Sequence, residues 1–166
     1  MLSVDQAMKN IIIGILLGVI VGGVGGFALG IFAFPYLFPP APVNESLAGL
    51  MTGEQVASGR FIHANPSDPV HYGRGGVSVY AAWLHLEADF EVGPGPKYHV
   101  YLVPGEVNAD TAVEQTMFVD LGRLKAFSGS QNYPVPAGVD LAGYQTVVIW
   151  CEQFGVLISL ATLQSR

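Results

Sequence analysis

The chain has a single cysteine, Cys151, among 166 residues, so no intramolecular disulfide can form. Neither a C-x-x-C pair nor a C-x-x-C-H haem-attachment motif exists. Lysine and arginine number 7 against 13 acidic residues, a net charge of −6, and the basic residues stand singly. A patch able to neutralise phosphates is missing, which sets nucleic-acid binding aside. Gly93-Pro94-Gly95-Pro96 is too short to cradle a phosphate, and no lysine and hydroxyl residue follow it in P-loop order. Ser128 and Ser130 lack the G-x-S-x-G elbow of a nucleophile. With no hydrolase or transferase signature, no catalytic residue is nominated, and the chain reads as a carrier or binding module rather than an enzyme.

What is abundant is apolar, and much of it lies in the first third. Ile11 to Phe34 contains no charged or strongly polar side chain over 24 residues, about 36 Å as a helix at 1.5 Å per residue. That is enough to cross a bilayer core of about 30 Å with some tilt. A cleaved signal peptide would have a shorter apolar region and a small-residue cleavage site, and neither is evident. Pro35 is expected to close the span, with Tyr36 suited to the headgroup zone. Gly14, Gly18, Gly22, Gly26 and Gly30 recur every fourth residue, a ladder of G-x-x-x-G that lets helix backbones approach closely in lipid. Self-association or pairing with another membrane helix is expected along it. Lys9 lies on the short side of the span and the next positive residue is Arg60, which places residues 1–10 in the cytoplasm and the C-terminal domain outside the cell membrane.

The expected organisation is a membrane helix over 11–36, a Pro-rich spacer over 37–54 and a β domain over 55–166. Pro39-Pro40-Ala41-Pro42 makes the spacer stiff and extended; a short helical turn is expected from Leu47 to Met51. Beyond it, β-branched and aromatic runs are punctuated by Gly, Pro, Asn and Asp. They predict strands at Phe61–His63, Val77–Tyr80, Trp83–Phe90, Tyr98–Val103, Met117–Leu121, Val147–Phe154 and Val156–Leu163. One or two helical turns are expected between Ala109 and Met117, and Gly129-Ser130-Gln131-Asn132 reads as a turn. The fold class is all-β, an antiparallel sandwich or barrel-like domain after one transmembrane α-helix. About 110 residues suffice for one core without disulfides.

Strand alternation sends Val147, Ile149 and Cys151 to one face and Val148, Trp150 and Glu152 to the other, which puts the thiol inside. Such a sulfur is either an inert small hydrophobe or a metal, haem or redox residue. All four histidines, His63, His71, His85 and His99, precede it, as does Met117, whereas a blue-copper site clusters late ligands around its cysteine. Haem, a copper ion and an iron ion are the candidate groups, and no cofactor at all stands beside them on equal terms. His71 is the first choice of second ligand, because the irregular Pro66–Gly76 segment can present a binding residue. Glu87, Asp89 and Glu91 fall on one face of the expected strand, a solvated face in the first instance and a calcium ligand set in the second.

Three ordered blocks carry a resemblance: Gly93-Pro94-Gly95-Pro96-Lys97-Tyr98-His99-Val100-Tyr101-Leu102; Leu121-Gly122-Arg123-Leu124-Lys125 with Gly129-Ser130-Gln131-Asn132-Tyr133; and Ile149-Trp150-Cys151 with Ala161 and Leu163. Over residues 55–163 the chain resembles the electron-transfer DM-thirteen domain family. The resemblance implies a role in electron transfer built around the cysteine at position 151, and His71 matches a histidine expected ahead of Gly76-Val77. Lys97 and His99 depart from the pattern, which more often has an acidic and an aromatic residue there. Two functions follow: a membrane-tethered redox module working through Cys151, or a non-catalytic extracytoplasmic binding or assembly domain in which Cys151 is core packing.

Overall fold

The computed structural model describes residues 4–48 and 53–166; most of the turn expected over Leu47–Met51 lies outside the described residues. The chain divides into two compact units, 1–38 and 39–166. In the first, a helix α1 (Val4–Leu37) carries exposed apolar side chains on every side, as suits lipid rather than a one-sided core. It is long and apolar enough to cross a membrane, a test that a signal sequence near the N-terminus also passes. A Cβ added at Gly14, Gly18, Gly22, Gly26 or Gly30 would meet nothing within 4 Å. Pro35 does not end the helix as expected. It lies inside the last turn, where its missing N–H costs a single bond, and the Phe38 N–H still reaches the Phe34 carbonyl at 2.9 Å.

The second unit is a β domain of antiparallel strands: β1 (Gln55–His63), β2 (Gly73–Tyr80), β3 (Trp83–Leu86), β4 (Glu91–Val92), β5 (Tyr98–Val103), β6 (Val119–Arg123), β7 (Gln131–Pro134), β8 (Thr146–Cys151), β9 (Val156–Thr162) and β10 (Gln164–Ser165). Their order is β6-β5-β8-β9-β1-β2-β3-β7, with β10 beside β1 and β4 beside β2. The sheet nearly closes into a barrel. β1 makes the corner: it pairs with β2 from Gln55 to Phe61 and then with β9 at Ile62 and His63. At Gly59 any Cβ would stand 2.5 Å from the Thr162 carbonyl oxygen, so only glycine lets the strands approach.

The last seam lies between β6 and β7, and the loop that joins them, 124–130, is organised by one buried side chain. Gln131 is fully buried; its Oε1 accepts from the Lys125 and Ala126 N–H groups at 3.1 and 3.2 Å and from the Tyr133 hydroxyl at 2.8 Å, while its Nε2 donates to the Ala126 carbonyl at 2.9 Å. A buried amide is stable only when so satisfied. The expectation of a turn at 129–132 is therefore corrected: Gln131 and Asn132 begin β7, the Gln131 amide bonding the preceding loop and the Asn132 amide bonding His85 and the Ser46 carbonyl rather than solvent.

Inside lie Val77, Val79, Leu84, Leu86, Val100, Leu102, Val147, Ile149, Ile158 and Cys151. A second cluster sits on the outer face, where Val107 and Val113 of the β5–β6 connection cover Tyr101, Val103, Val148, Trp150 and Leu160. The helical turn expected there is a 3-10 turn, Val113–Gln115. The strand expected over Trp83–Phe90 breaks after Leu86, where a turn returns the Phe90 N–H to the Glu87 carbonyl at 2.9 Å. Glu87, Asp89 and Glu91 consequently do not form a row. Glu87 accepts from Ser78, Asp89 from Gly76 and Arg60, and Glu91 from Arg74 and Tyr72.

Part of the expected spacer is a strap on the barrel. The N–H groups of Val43 and Glu45 donate to the carbonyls of Ser128 and Ser130 at 3.2 and 3.0 Å, the Ser130 hydroxyl donates to the Glu45 carbonyl at 2.9 Å, and Lys125 Nζ donates to both Glu45 oxygens at 2.7 Å. The strap thus covers backbone groups at the edge strand β7, a place where exposed edges invite mispairing. Gly129 is required beneath it: its φ is +90°, and a Cβ would run into the Val43 carbonyl oxygen. Burial pushes the Glu45 carboxyl up, but Lys125 and the Asn132 N–H outweigh it and hold it below its ordinary 4.5. Stability from a depressed carboxyl is complete above its unfolded value and is lost as pH falls through the folded one. Hydrogen exchange should therefore show protection of the Val43 and Glu45 amides falling below about pH 4.5, whereas Glu45→Gln should show weaker protection at neutral pH and no such step.

Candidate functional site

Cys151 ends β8, opposite Tyr98 of β5 and Val156 of β9. Its alternation with Val147 and Ile149 carries it inward as the sequence predicts, and it is 1% exposed. The thiol donates to the Pro96 carbonyl at 3.2 Å, so Gly93-Pro94-Gly95-Pro96 forms a roof over the sulfur. This loop is tightly seated, since a Cβ at Gly95 would collide with the Tyr98 ring. From the other side the β8–β9 turn folds back, with the Phe154 and Gly155 N–H groups donating to the Cys151 carbonyl at 3.3 and 2.9 Å. Burial pushes the thiol up, outweighing the nearby Phe154 and Gln153 N–H groups, which favour its ionised form. A protonated, enclosed thiol is a poor nucleophile. As a ligand it would have to give up both its proton and its bond to Pro96.

His71 stands in the loop between β1 and β2. Its Nδ1 lies 2.6 Å from Asp68 Oδ2, and Asp68 Oδ1 accepts from the N–H groups of Val70 and His71 at 2.8 and 3.1 Å. The bond from His71, reinforced by those N–H groups, lowers the Asp68 carboxyl to about 2. An imidazole gripped at Nδ1 by a carboxylate is oriented to offer Nε2, the arrangement that metal-ligating histidines use. His71 and Cys151 have separate partners, and no hydrogen bond joins them. Of the other histidines, His63 Nε2 lies 2.7 Å from the Asp68 carbonyl, and His85 is buried with Nδ1 2.6 Å from Asn132 Oδ1.

One constellation escaped the sequence reading. On the outer face of β6, β5 and β8, His99 Nδ1 lies 3.0 Å from Asp120 Oδ2 and Nε2 lies 3.5 Å from Glu152 Oε2. The Tyr101 hydroxyl donates to Glu152 Oε1 at 3.0 Å, and Lys97 Nζ lies 3.0 Å from Oε2. Lys97, foremost, and Tyr101 hold the Glu152 carboxyl below its usual range despite some burial. Burial and then Glu152 push the Tyr101 phenol up. Alternation alone places His99 and Tyr101 on one face and Glu152 opposite Cys151; the position of Asp120 depends on a register shift between Val100 and Tyr101 in the β5–β6 pairing, which carries no sequence signature.

An all-β barrel-like domain with a roofed thiol at the end of a central strand is the class these features define. The family model described as electron transfer DM13 matches residues 67–163, more than half of the chain, and the chain belongs to that family. No curated protein and no solved structure matches it. The burial of Cys151 predicts that a thiol reagent at pH 8 labels the native full chain slower than the denatured chain by about tenfold or more, because an enclosed thiol reacts only when the domain opens locally.

Proposed function

We propose that this chain is a membrane-tethered electron-transfer module, facing away from the cytoplasm, in which Cys151 is the redox or ligand residue. The observation that carries the reading is the surroundings of the sulfur in a domain of an electron-transfer family: full enclosure under a backbone carbonyl. Hydrogen bonds to sulfur and exclusion of solvent are the means by which proteins set the potential of a thiolate-bound centre. A haem, copper or iron centre bound there would supply a one-electron couple. The chain's own part is to hold Cys151 in a dry site and to offer the carboxylate-held imidazole of His71 as second ligand. Ile11 to Phe34 serves as the membrane anchor, with Lys9 on its cytoplasmic side, and Gly14, Gly18, Gly22, Gly26 and Gly30 as the face for pairing with another helix.

A second reading rests on the same roof. Because the thiol already has Pro96 as its acceptor, Cys151 is also complete as core packing in a binding or assembly domain. The two separate in one experiment on the full chain in detergent, made in cells supplied with haem, copper and iron. Visible spectra and metal analysis of the wild type should show a chromophore or a redox metal that is lost in Cys151→Ser and altered in His71→Ala. A colourless wild type and Cys151→Ser pair, equally folded and free of haem, copper and iron, overturns the ligand reading and leaves the packing one. In that case Cys151→Ala should cost only about 1 kcal/mol, a small cavity's worth.

A further inference from the structure

We propose that His99, Asp120 and Glu152 form a binding site for a divalent transition ion of the zinc type, on the outer face of the barrel and separate from the Cys151 sulfur. Three neighbouring strands supply one residue each, β5, β6 and the end of β8, and one donor atom from each lies within 4.8 Å of the others. One imidazole nitrogen and two carboxylates, with water completing the shell, suit a borderline ion with mixed N and O ligands. Donor atoms of a tetrahedral ion with bonds of about 2.1 Å stand about 3.4 Å apart. The His99–Glu152 separation of 3.5 Å already matches; the ion takes one ring nitrogen, and the carboxylate now on the other closes toward it.

The surroundings favour this arrangement. Each carboxylate has one oxygen held by a group outside the donor set, Asp120 Oδ1 by the Gly122 N–H at 2.8 Å and Glu152 Oε1 by the Tyr101 hydroxyl at 3.0 Å. Glu152 turns its other oxygen, Oε2, toward His99 Nε2, and Asp120 presents both oxygens to His99 Nδ1, at 3.1 and 3.0 Å. Tyr101 is itself fixed by stacking on Phe118, with ring centroids 4.3 Å apart. Outer partners of this kind orient metal ligands. A tethered cation also occupies the place: Lys97 reaches Glu152 Oε2 from a left-handed backbone of φ 52°, the one non-glycine residue with positive φ among those described. Such a conformation is unfavourable for lysine. Two carboxylates against one ammonium leave the cluster short of positive charge, and a divalent ion that displaced the ammonium would balance both carboxylates.

The site is tested by titrating the full chain in detergent with zinc by calorimetry and with cobalt by its visible absorption. Saturable uptake of one ion per chain is expected, unchanged in Cys151→Ser, weakened at least tenfold in Glu152→Gln and Asp120→Asn, and several-fold tighter in Lys97→Met, where the competing ammonium is gone. Absence of saturable uptake, or affinities unmoved by either carboxylate change, overturns the proposal. Uptake lost in Cys151→Ser overturns it too, because the ion would then sit on the sulfur. Should the carboxylate variants not fold, Lys97→Met decides: an affinity no tighter than wild type overturns the site. Because zinc is colourless and Cys151 is not a donor here, failure of this site leaves the electron-transfer reading untouched, and the reverse holds as well.

Discussion

The barrel depends on one buried amide. Among the described residues no ladder joins β6 to β7, and Gln131 organises the loop between them by accepting three hydrogen bonds and donating to the Ala126 carbonyl. A buried amide with an unmade bond costs about 1–3 kcal/mol, so the seam is stable only if Lys125, Ala126 and Tyr133 all reach it together. This requirement fixes the loop from Leu124 to Ser130, and the strap at Val43–Ser46 then rests on that loop. Lys125 links the two: its N–H closes the seam while its ammonium holds Glu45. Local failure at Gln131 would loosen this loop and with it the surface that the strap covers.

With the seam closed, β5 and β8 lie in the middle of the sheet that carries the chemistry. Alternation along β8 places Cys151 inside and Glu152 outside, one residue apart. The turn that follows serves both faces, since the Phe154 and Gly155 N–H groups bond the Cys151 carbonyl and Glu152 faces His99. Lys97 joins them from the roof loop: its carbonyl accepts the Glu152 N–H at 3.2 Å and its ammonium meets the Glu152 side chain. A change in the charge held at Glu152 would therefore bear on the two segments that enclose the thiol.

Features set by local periodicity were legible in the sequence. The inward phase of Val147, Ile149 and Cys151 follows from alternation, the limits of Tyr98–Val103 from its bounding turns, and α1 from an unbroken apolar run. Features set by register or by a side chain reaching across the fold were not. Gln131 and Asn132 look like turn residues because polarity in a strand normally marks a solvated face; here Gln131 points into a seam. Glu87, Asp89 and Glu91 alternate as a strand should, yet the chain turns after Leu86 because each carboxylate finds a different partner. Asp120 reaches His99 through the pairing of two consecutive strands whose register is shifted between Val100 and Tyr101. The strap was read as free spacer because Pro39 to Pro42 dominates its composition, while its docking is carried by the backbone of Val43 and Glu45 and by the need for glycine at 129.

The state of the thiol narrows what an electron-transfer role can mean here. Thiol–disulfide exchange requires an accessible thiolate and a second sulfur. Cys151 is enclosed, pushed toward its protonated form and the only cysteine in the chain. Ligation differs in its electrostatics: a cation bound to the sulfur replaces the proton and offsets the burial that otherwise disfavours the thiolate. The same enclosure that makes Cys151 inert as a free thiol would protect it as a ligand. A metal-bound or packed cysteine is thus the choice that the surroundings leave, and exchange chemistry is the alternative they disfavour.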